Sequence, residues 1–180
     1  MKMKINRTIR EKYTPGFLRP SKPIEIVIHG TGGGASADVM IKWIEAGERA
    51  TEYVKGIALF HYLVDFDGTT TEIISPDNWV YHSSSGSHDQ LTIGIELMNK
   101  SAGNTNGYTD LQYGCLFNLI TDLMDKYPIK SIVGHGYNDL KYSGTDKACP
   151  GNFDWARLGE FLKANYEVDY EPRHYTIKGA

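Results

Sequence analysis

The sequence predicts an α/β fold: one domain with a central mixed β-sheet flanked by α-helices. Three observations carry this. Short β-branched runs such as residues 24–29 alternate along the chain with helical stripes such as residues 109–127. Asp67-Gly68 joins two strand-like runs as a hairpin, which a purely parallel sheet would not contain. A chain of 180 residues with 41% hydrophobic content suits a single domain with its own core, and no internal repeat or second core is visible.

Residues 1–23 are polar, punctuated by Pro15, Pro20 and Pro23, and read as an irregular lead-in. Ile24-Glu25-Ile26-Val27-Ile28-His29 is a first strand. The glycine-rich turn of residues 30–34 leads to a helix over 36–46, with Val39, Met40, Trp43 and Ile44 at helical spacing and Gly47 as its stop. Residues 58–65 and 71–75 form the hairpin arms. In the strand at 92–98, Ile93, Ile95 and Leu97 share one face, and Gly94 and Glu96 the other. Residues 101–108 read as a loop. Over 109–127, Leu111, Cys115, Leu116, Leu119, Ile120, Leu123 and Met124 make a helical stripe that Pro128 ends. A short strand at 131–134 delivers His135, a polar loop follows, and 153–165 is a last helix. Residues 169–180 show no periodicity and read as a loose tail.

Composition narrows the function. Nineteen Lys and Arg against 22 Asp and Glu leave a net charge of −3, so no basic field exists to grip a phosphate backbone, and nucleic acid is not an expected partner. No run approaches the ~20 apolar residues of a membrane span. The start, Met1-Lys2-Met3-Lys4-Ile5-Asn6-Arg7, has charge without an apolar run behind it, so cytoplasmic synthesis without a signal peptide is expected. Two cysteines cannot build a disulfide framework. The expected state is a monomer.

Two histidines, His29 and His135, fall at the C-terminal ends of predicted strands, where open α/β sheets place ligands. A lone histidine is more often an ordinary polar residue, so position alone is weak. Asp146-Lys147-Ala148-Cys149-Pro150-Gly151 strengthens it: in an extended segment Lys147 and Cys149 point the same way, pairing a thiolate ligand with an ammonium. That pairing suits zinc-assisted attack on an amide. The bland alternative is a free cysteine in a turn; Cys115, inside the helical stripe, reads as core. Glu96, a carboxylate in an apolar strand, needs solvent, a partner or a cleft, and Gly94 beside it suggests open space for a substrate. His61 has either a buried hydrogen-bonded role or contact with substrate. His82 opens the run Ser83-Ser84-Ser85-Gly86-Ser87-His88, which either lines a groove for a polar polymer or is a surface loop.

Together, Ile28-His29-Gly30-Thr31, His61-Tyr62-Leu63-Val64 with Asp67-Gly68, Ile93-Gly94-Ile95-Glu96-Leu97, Gly134-His135 and Lys147-Ala148-Cys149-Pro150-Gly151 resemble the zinc-dependent N-acetylmuramoyl-L-alanine amidases of the type-2 amidase and peptidoglycan-recognition-protein superfamily. The five segments occur in the family's order across roughly residues 24–165. The resemblance implies that residues 24–168 are an amidase catalytic domain acting on peptidoglycan or muropeptides. It implies a Zn2+ held by His29, His135 and Cys149, with Lys147 and Glu96 catalytic. It also suggests that Phe60, His61 and His82 contact the substrate. Phage members often carry a tyrosine at the position of Phe60; without that hydroxyl, proton transfer falls to Glu96.

The implied setting is a phage or prophage endolysin that reaches the cell wall through a holin. The alternatives are a cytosolic amidase recycling soluble anhydromuramyl-peptides and a non-catalytic peptidoglycan-binding module. Binders in this superfamily have lost the zinc cysteine, which is retained here. Residues 30–35 also fit a loose dinucleotide pattern, G-x-G-x-x-A, yet no acidic residue ends a strand ~20 residues later to hold a ribose.

Overall fold

The computed structural model describes residues 5–7, 17–34, 36–46, 60–83 and 85–179. The strands in chain order are β1 (Ile5–Arg7), β2 (Phe17–Leu18), β3 (Glu25–Gly30), β4 (Tyr62–Val64), β5 (Thr70–Glu72), β6 (Asn78–Trp79), β7 (Thr92–Leu97), β8 (Ser131–Gly134), β9 (Val168–Glu171) and β10 (His174–Ile177). The helices are α1 (Ala37–Ala46), α2 (Gly86–Asp89), α3 (Asp110–Lys126), α4 (His135–Ser143) and α5 (Trp155–Asn165). Among the described residues the main sheet runs β1-β5-β4-β7-β3-β8-β10-β9, and β2 pairs with β6 separately. It is mixed, as expected: β4, β7, β3 and β8 are mutually parallel, while β5 and β10 run antiparallel to their inner neighbours.

Alternation along the central strands divides the molecule. Ile26, Ile28, Ile93, Ile95 and Leu97 turn to one face and join Leu116, Leu119, Ile120, Leu158 and Leu162 of α3 and α5 in the larger core. On the other side, Ala37, Met40 and Ile44 of α1 cover Phe60, Leu63, Ile73, Val80 and Met98. α3 opens with a reciprocal cap between Thr109 and Gln112, and its last turn stops before Pro128, as the stripe predicts. The hairpin turn sits where Asp67-Gly68 places it, with Gly68 at φ +83°. Gly47, and residues 58–59 of the expected first arm, lie outside the described residues.

Three expectations are corrected. The lead-in is not wholly irregular, because β1 pairs in parallel with β5 and β2 pairs with β6. Of the expected loose tail at 169–180, the described residues are ordered instead: β9 and β10 form a hairpin that extends the sheet beyond β8. Tyr175 and Ile177 are buried at alternate positions, a period-2 signal too short to stand out. The loop expected after His135 begins with α4. This helix buries Asn138 and Asp139 and exposes Leu140, so no apolar stripe announces it.

The lead-in is anchored by Arg19, whose guanidinium donates to the carbonyls of Pro76 and Gln90, each at 2.6 Å, and of Thr92. Its Nη2 also lies 3.0 Å from His61 Nε2. His61 is fully buried just before β4, and its Nδ1 accepts the Gly94 N–H at 2.9 Å. The ring proton therefore sits on Nε2, facing the Asn78 carbonyl at 3.1 Å. Burial, reinforced by the Arg19 charge, pushes this imidazole down to about 3.

An unfolded histidine protonates near pH 6.5, whereas this one stays neutral in the fold, so protons favour the unfolded chain below pH 6.5. Stability therefore falls as the pH drops from 6.5 toward 3, by on the order of 4 kcal/mol from this group. Urea denaturation across that range checks it: His61→Gln should be less stable at pH 7 and lose most of this acid slope.

Candidate active site

The site begins with two strands ending at one level. β3 and β8 pair in parallel with Ile28 opposite Gly134, so His29 and His135 emerge side by side, with ring centroids 4.5 Å apart. Cys149 arrives from the loop after α4. Its Sγ is 3.4 Å from the Gly30 nitrogen, and its carbonyl accepts the Gly136 N–H at 2.7 Å. Potential ligand atoms of His29, His135 and Cys149 all lie within 4.8 Å of one another. The trio forms from the residues expected to bind a metal.

The donor set fits zinc: two imidazoles and one sulfur, converging from three segments. Burial, with the Glu96 charge second, pushes the Cys149 thiol up to about 12. Burial also lowers the His135 imidazole, against the pull of Asp139. An imidazole held neutral suits a metal directly, while the thiol needs a bound cation to hold its thiolate.

β7 supplies Glu96. In register with His29 across the parallel pair, it projects onto the same face, and its Oε2 lies 4.0 Å from His29 Nδ1. Lys147 is half exposed, and its Nζ is 2.8 Å from Asp139 Oδ2. Asp139 is fully buried, with its other oxygen 3.3 Å from His135 Nε2. These are charge contacts rather than aligned hydrogen bonds. A carboxylate behind a metal-binding histidine fixes its orientation and tautomer, here favouring a proton on Nε2. The sequence reading missed Asp139. The signal was His135 and Asp139 at i, i+4, which means nothing until residues 135–143 are known to be helical.

His29 has a comparable support. Its Nε2 lies 3.0 Å from His82 Nδ1, and His82 Nε2 lies 2.8 Å from Thr92 Oγ1, which donates to the Asp89 carbonyl at 3.3 Å. A carbonyl only accepts, so protons run one way along the chain and His29 carries its proton on Nε2. Its lone pair is then on Nδ1, the nitrogen facing Glu96. Burial, and then the neighbouring imidazoles, hold the His82 ring well below the usual histidine range.

Two readings change. Gly94 does not open space for substrate, because a Cβ there would stand 2.8 Å from His82 Nδ1; the space holds the imidazole. Phe60, His61 and His82, expected to contact the substrate, are buried instead. His61 is 0% and Phe60 2% exposed, and the His82 side chain is 2% exposed. Phe60 packs under α1, His61 lies beside Arg19, and His82 lies behind His29.

The loop at 101–108 is also part of the framework. Asn104, with φ 57°, accepts the Gly32 N–H at 2.7 Å and donates to the Gly30 carbonyl at 3.1 Å, while its own carbonyl accepts from Asn152. Tyr108 donates to the Pro150 carbonyl at 2.7 Å. The glycine-rich turn thus directs the Thr31 and Gly32 amides to protein acceptors, unlike a phosphate-binding loop.

A family model described as Amidase_2, N-acetylmuramoyl-L-alanine amidase, matches residues 19–152. Comparison with curated protein sequences finds no match. Among solved structures, the chain is similar to the N-acetylmuramoyl-L-alanine amidase LysC of Clostridium intestinale, with 23% identity, a TM-score of 0.65, and 91% of this chain and 97% of that one covered. A Thermus scotoductus bacteriophage endolysin is 20% identical with a TM-score of 0.62, covering 86% and 97%. Drosophila peptidoglycan recognition protein SD is 16% identical with a TM-score of 0.59, covering 87% and 94%. At these identities the structural likenesses speak to fold.

Two outcomes follow from the geometry. Asp139→Ala should weaken zinc binding about 10- to 100-fold, measured by chelator competition. Gly94→Ala should cost about 1–3 kcal/mol in denaturant unfolding, since its methyl group meets a buried ring.

Proposed function

Because the chain belongs to the N-acetylmuramoyl-L-alanine amidase family Amidase_2, we propose that it hydrolyses the amide between N-acetylmuramic acid and L-alanine of peptidoglycan in a zinc-dependent reaction. The observation that carries the zinc reading is the convergence of His29, His135 and Cys149 beside Glu96. The setting we favour is wall lysis by a phage or prophage endolysin, supported by the structural likeness to a bacteriophage endolysin.

Held by His29, His135 and Cys149, zinc would supply a Lewis acid for the lactyl carbonyl and lower the pKa of the attacking water. His29 and His135 orient their lone pairs through His82 and Asp139. Glu96 accepts the attacking water's proton and returns it to the departing L-alanine nitrogen. Lys147, its ammonium held by Asp139, stabilises the charge that develops on the carbonyl oxygen. Retention of Cys149 favours an enzyme over a binding module that recognises the wall without cutting it.

On purified peptidoglycan, Glu96→Ala should keep its zinc and lose about 10²- to 10⁴-fold in turnover, whereas Cys149→Ala should lose the metal. Mass spectrometry of the products, with and without chelator, tests the reaction. Free stem peptides from the polymer support the lytic reading; turnover confined to soluble anhydromuramyl-peptides would replace it with recycling. Wild-type activity in Glu96→Ala would overturn the proton-transfer role.

A further inference from the structure

The β9–β10 hairpin lies beyond residues 19–152, which the family model matches, yet its turn reaches the site. Glu171-Pro172-Arg173-His174 is a two-residue connection with Arg173 at φ 64°, where a turn led by proline ordinarily carries glycine or asparagine. Arg173 holds two of the three segments that carry the proposed metal-binding residues. Its carbonyl accepts the Gly134 N–H at 2.9 Å, at the residue before His135. Its Nη1 donates to the Lys147 carbonyl at 3.0 Å, and its Nη1 and Nη2 each lie 3.2 Å from Asp146 Oδ1. The seam is tight: a Cβ on Gly136 would meet the Lys147 carbonyl, the Arg173 guanidinium and the Cys149 carbonyl. Beside it, Tyr137 of α4 donates to Glu171 Oε1 at 2.9 Å, and the His174 ring lies 4.7 Å from the Tyr137 ring.

We propose that this hairpin is a bracket for the active site, with Arg173 as the positioning residue that fixes the Lys147–Cys149 loop against the start of α4. This rests on the zinc reading of His29, His135 and Cys149. The guanidinium acts on main-chain carbonyl and carboxylate oxygens of the loop, so it sets where Lys147 and Cys149 stand without touching a substrate.

The test uses the full chain and Arg173→Gly. Glycine accepts the positive φ, so this variant keeps the turn and removes the side chain. Expected results are zinc binding about 10- to 100-fold weaker by chelator competition, and faster amide hydrogen exchange at residues 145–151. Exchange in β3 and β7 should be unchanged, and Arg173→Lys, with one nitrogen in place of the two-pronged guanidinium, should recover only part of the lost affinity. Wild-type zinc affinity with unchanged exchange at 145–151 would overturn the proposal. So would faster exchange spread equally over β3 and β7, which marks a general stabilising role. Should the wild type bind no zinc, the metal reading fails, and exchange at 145–151 decides the bracket by itself.

Discussion

The parallel register of β3 with β7 on one side and β8 on the other is the constraint on which the site depends. It sets His29 beside Glu96 and one residue past the level of Gly134, so His135 follows at the same height. What enforces the register lies on the opposite face. Ile26, Ile28, Ile93 and Ile95 are completely buried against α3 and α5. A slip of one residue would turn these side chains to the chemical face and drive His29 and Glu96 into an apolar core. Burial of a few isoleucines therefore fixes the position of groups that they never touch.

The same burial creates an electrostatic demand at the site. Opposing influences act on Cys149: burial, Glu96 and Asp139 favour the neutral thiol, while the Gly30 N–H and Lys147 favour the thiolate. Burial dominates, so a thiolate here is conditional on a cation, and metal binding and proton release become one event. The histidines meet the demand differently. His135 leans on Asp139, a full charge that it shares with Lys147, while His29 leans on neutral His82 and Thr92. One histidine is thus supported by an ion and the other by a chain of dipoles. Asp139 couples the proposed metal-binding side of the site to the Lys147 ammonium.

Much of this was legible in the sequence because the signals were local. The strand Ile24–His29 pattern, the stripe of α3 and the Asp67-Gly68 turn each state their geometry within a few residues. Residues 131–134 are a strand as read, and His29, His135 and Cys149 converge. What escaped was non-local or polar. α4 buries Asn138 and Asp139 instead of an apolar stripe, so periodicity could not find it. Gly94 carried a real signal of close approach, but only the fold reveals that the approaching group is His82. The β9–β10 hairpin rests on just two buried side chains, Tyr175 and Ile177, and on partners supplied by β8.

Packing also bears on how protons move in the proposed reaction. The position where related phage amidases often carry a tyrosine is here Phe60, 2% exposed beneath α1 among Met40, Ile44 and Val80. A hydroxyl added there would enter an apolar cluster and carry a desolvation penalty instead of reaching a cleft. Tyr108 brings a hydroxyl to the neighbourhood of Cys149, but its proton is directed to the Pro150 carbonyl, and burial raises its pKa further. Tyr62 is turned away to Glu72 on the hairpin. A phenol is therefore poorly placed to relay protons at His29. Glu96 shares the His29 face by strand register and combines nearness with a charge that can accept a proton. Its role follows from the same parallel pairing that aligns the two histidines.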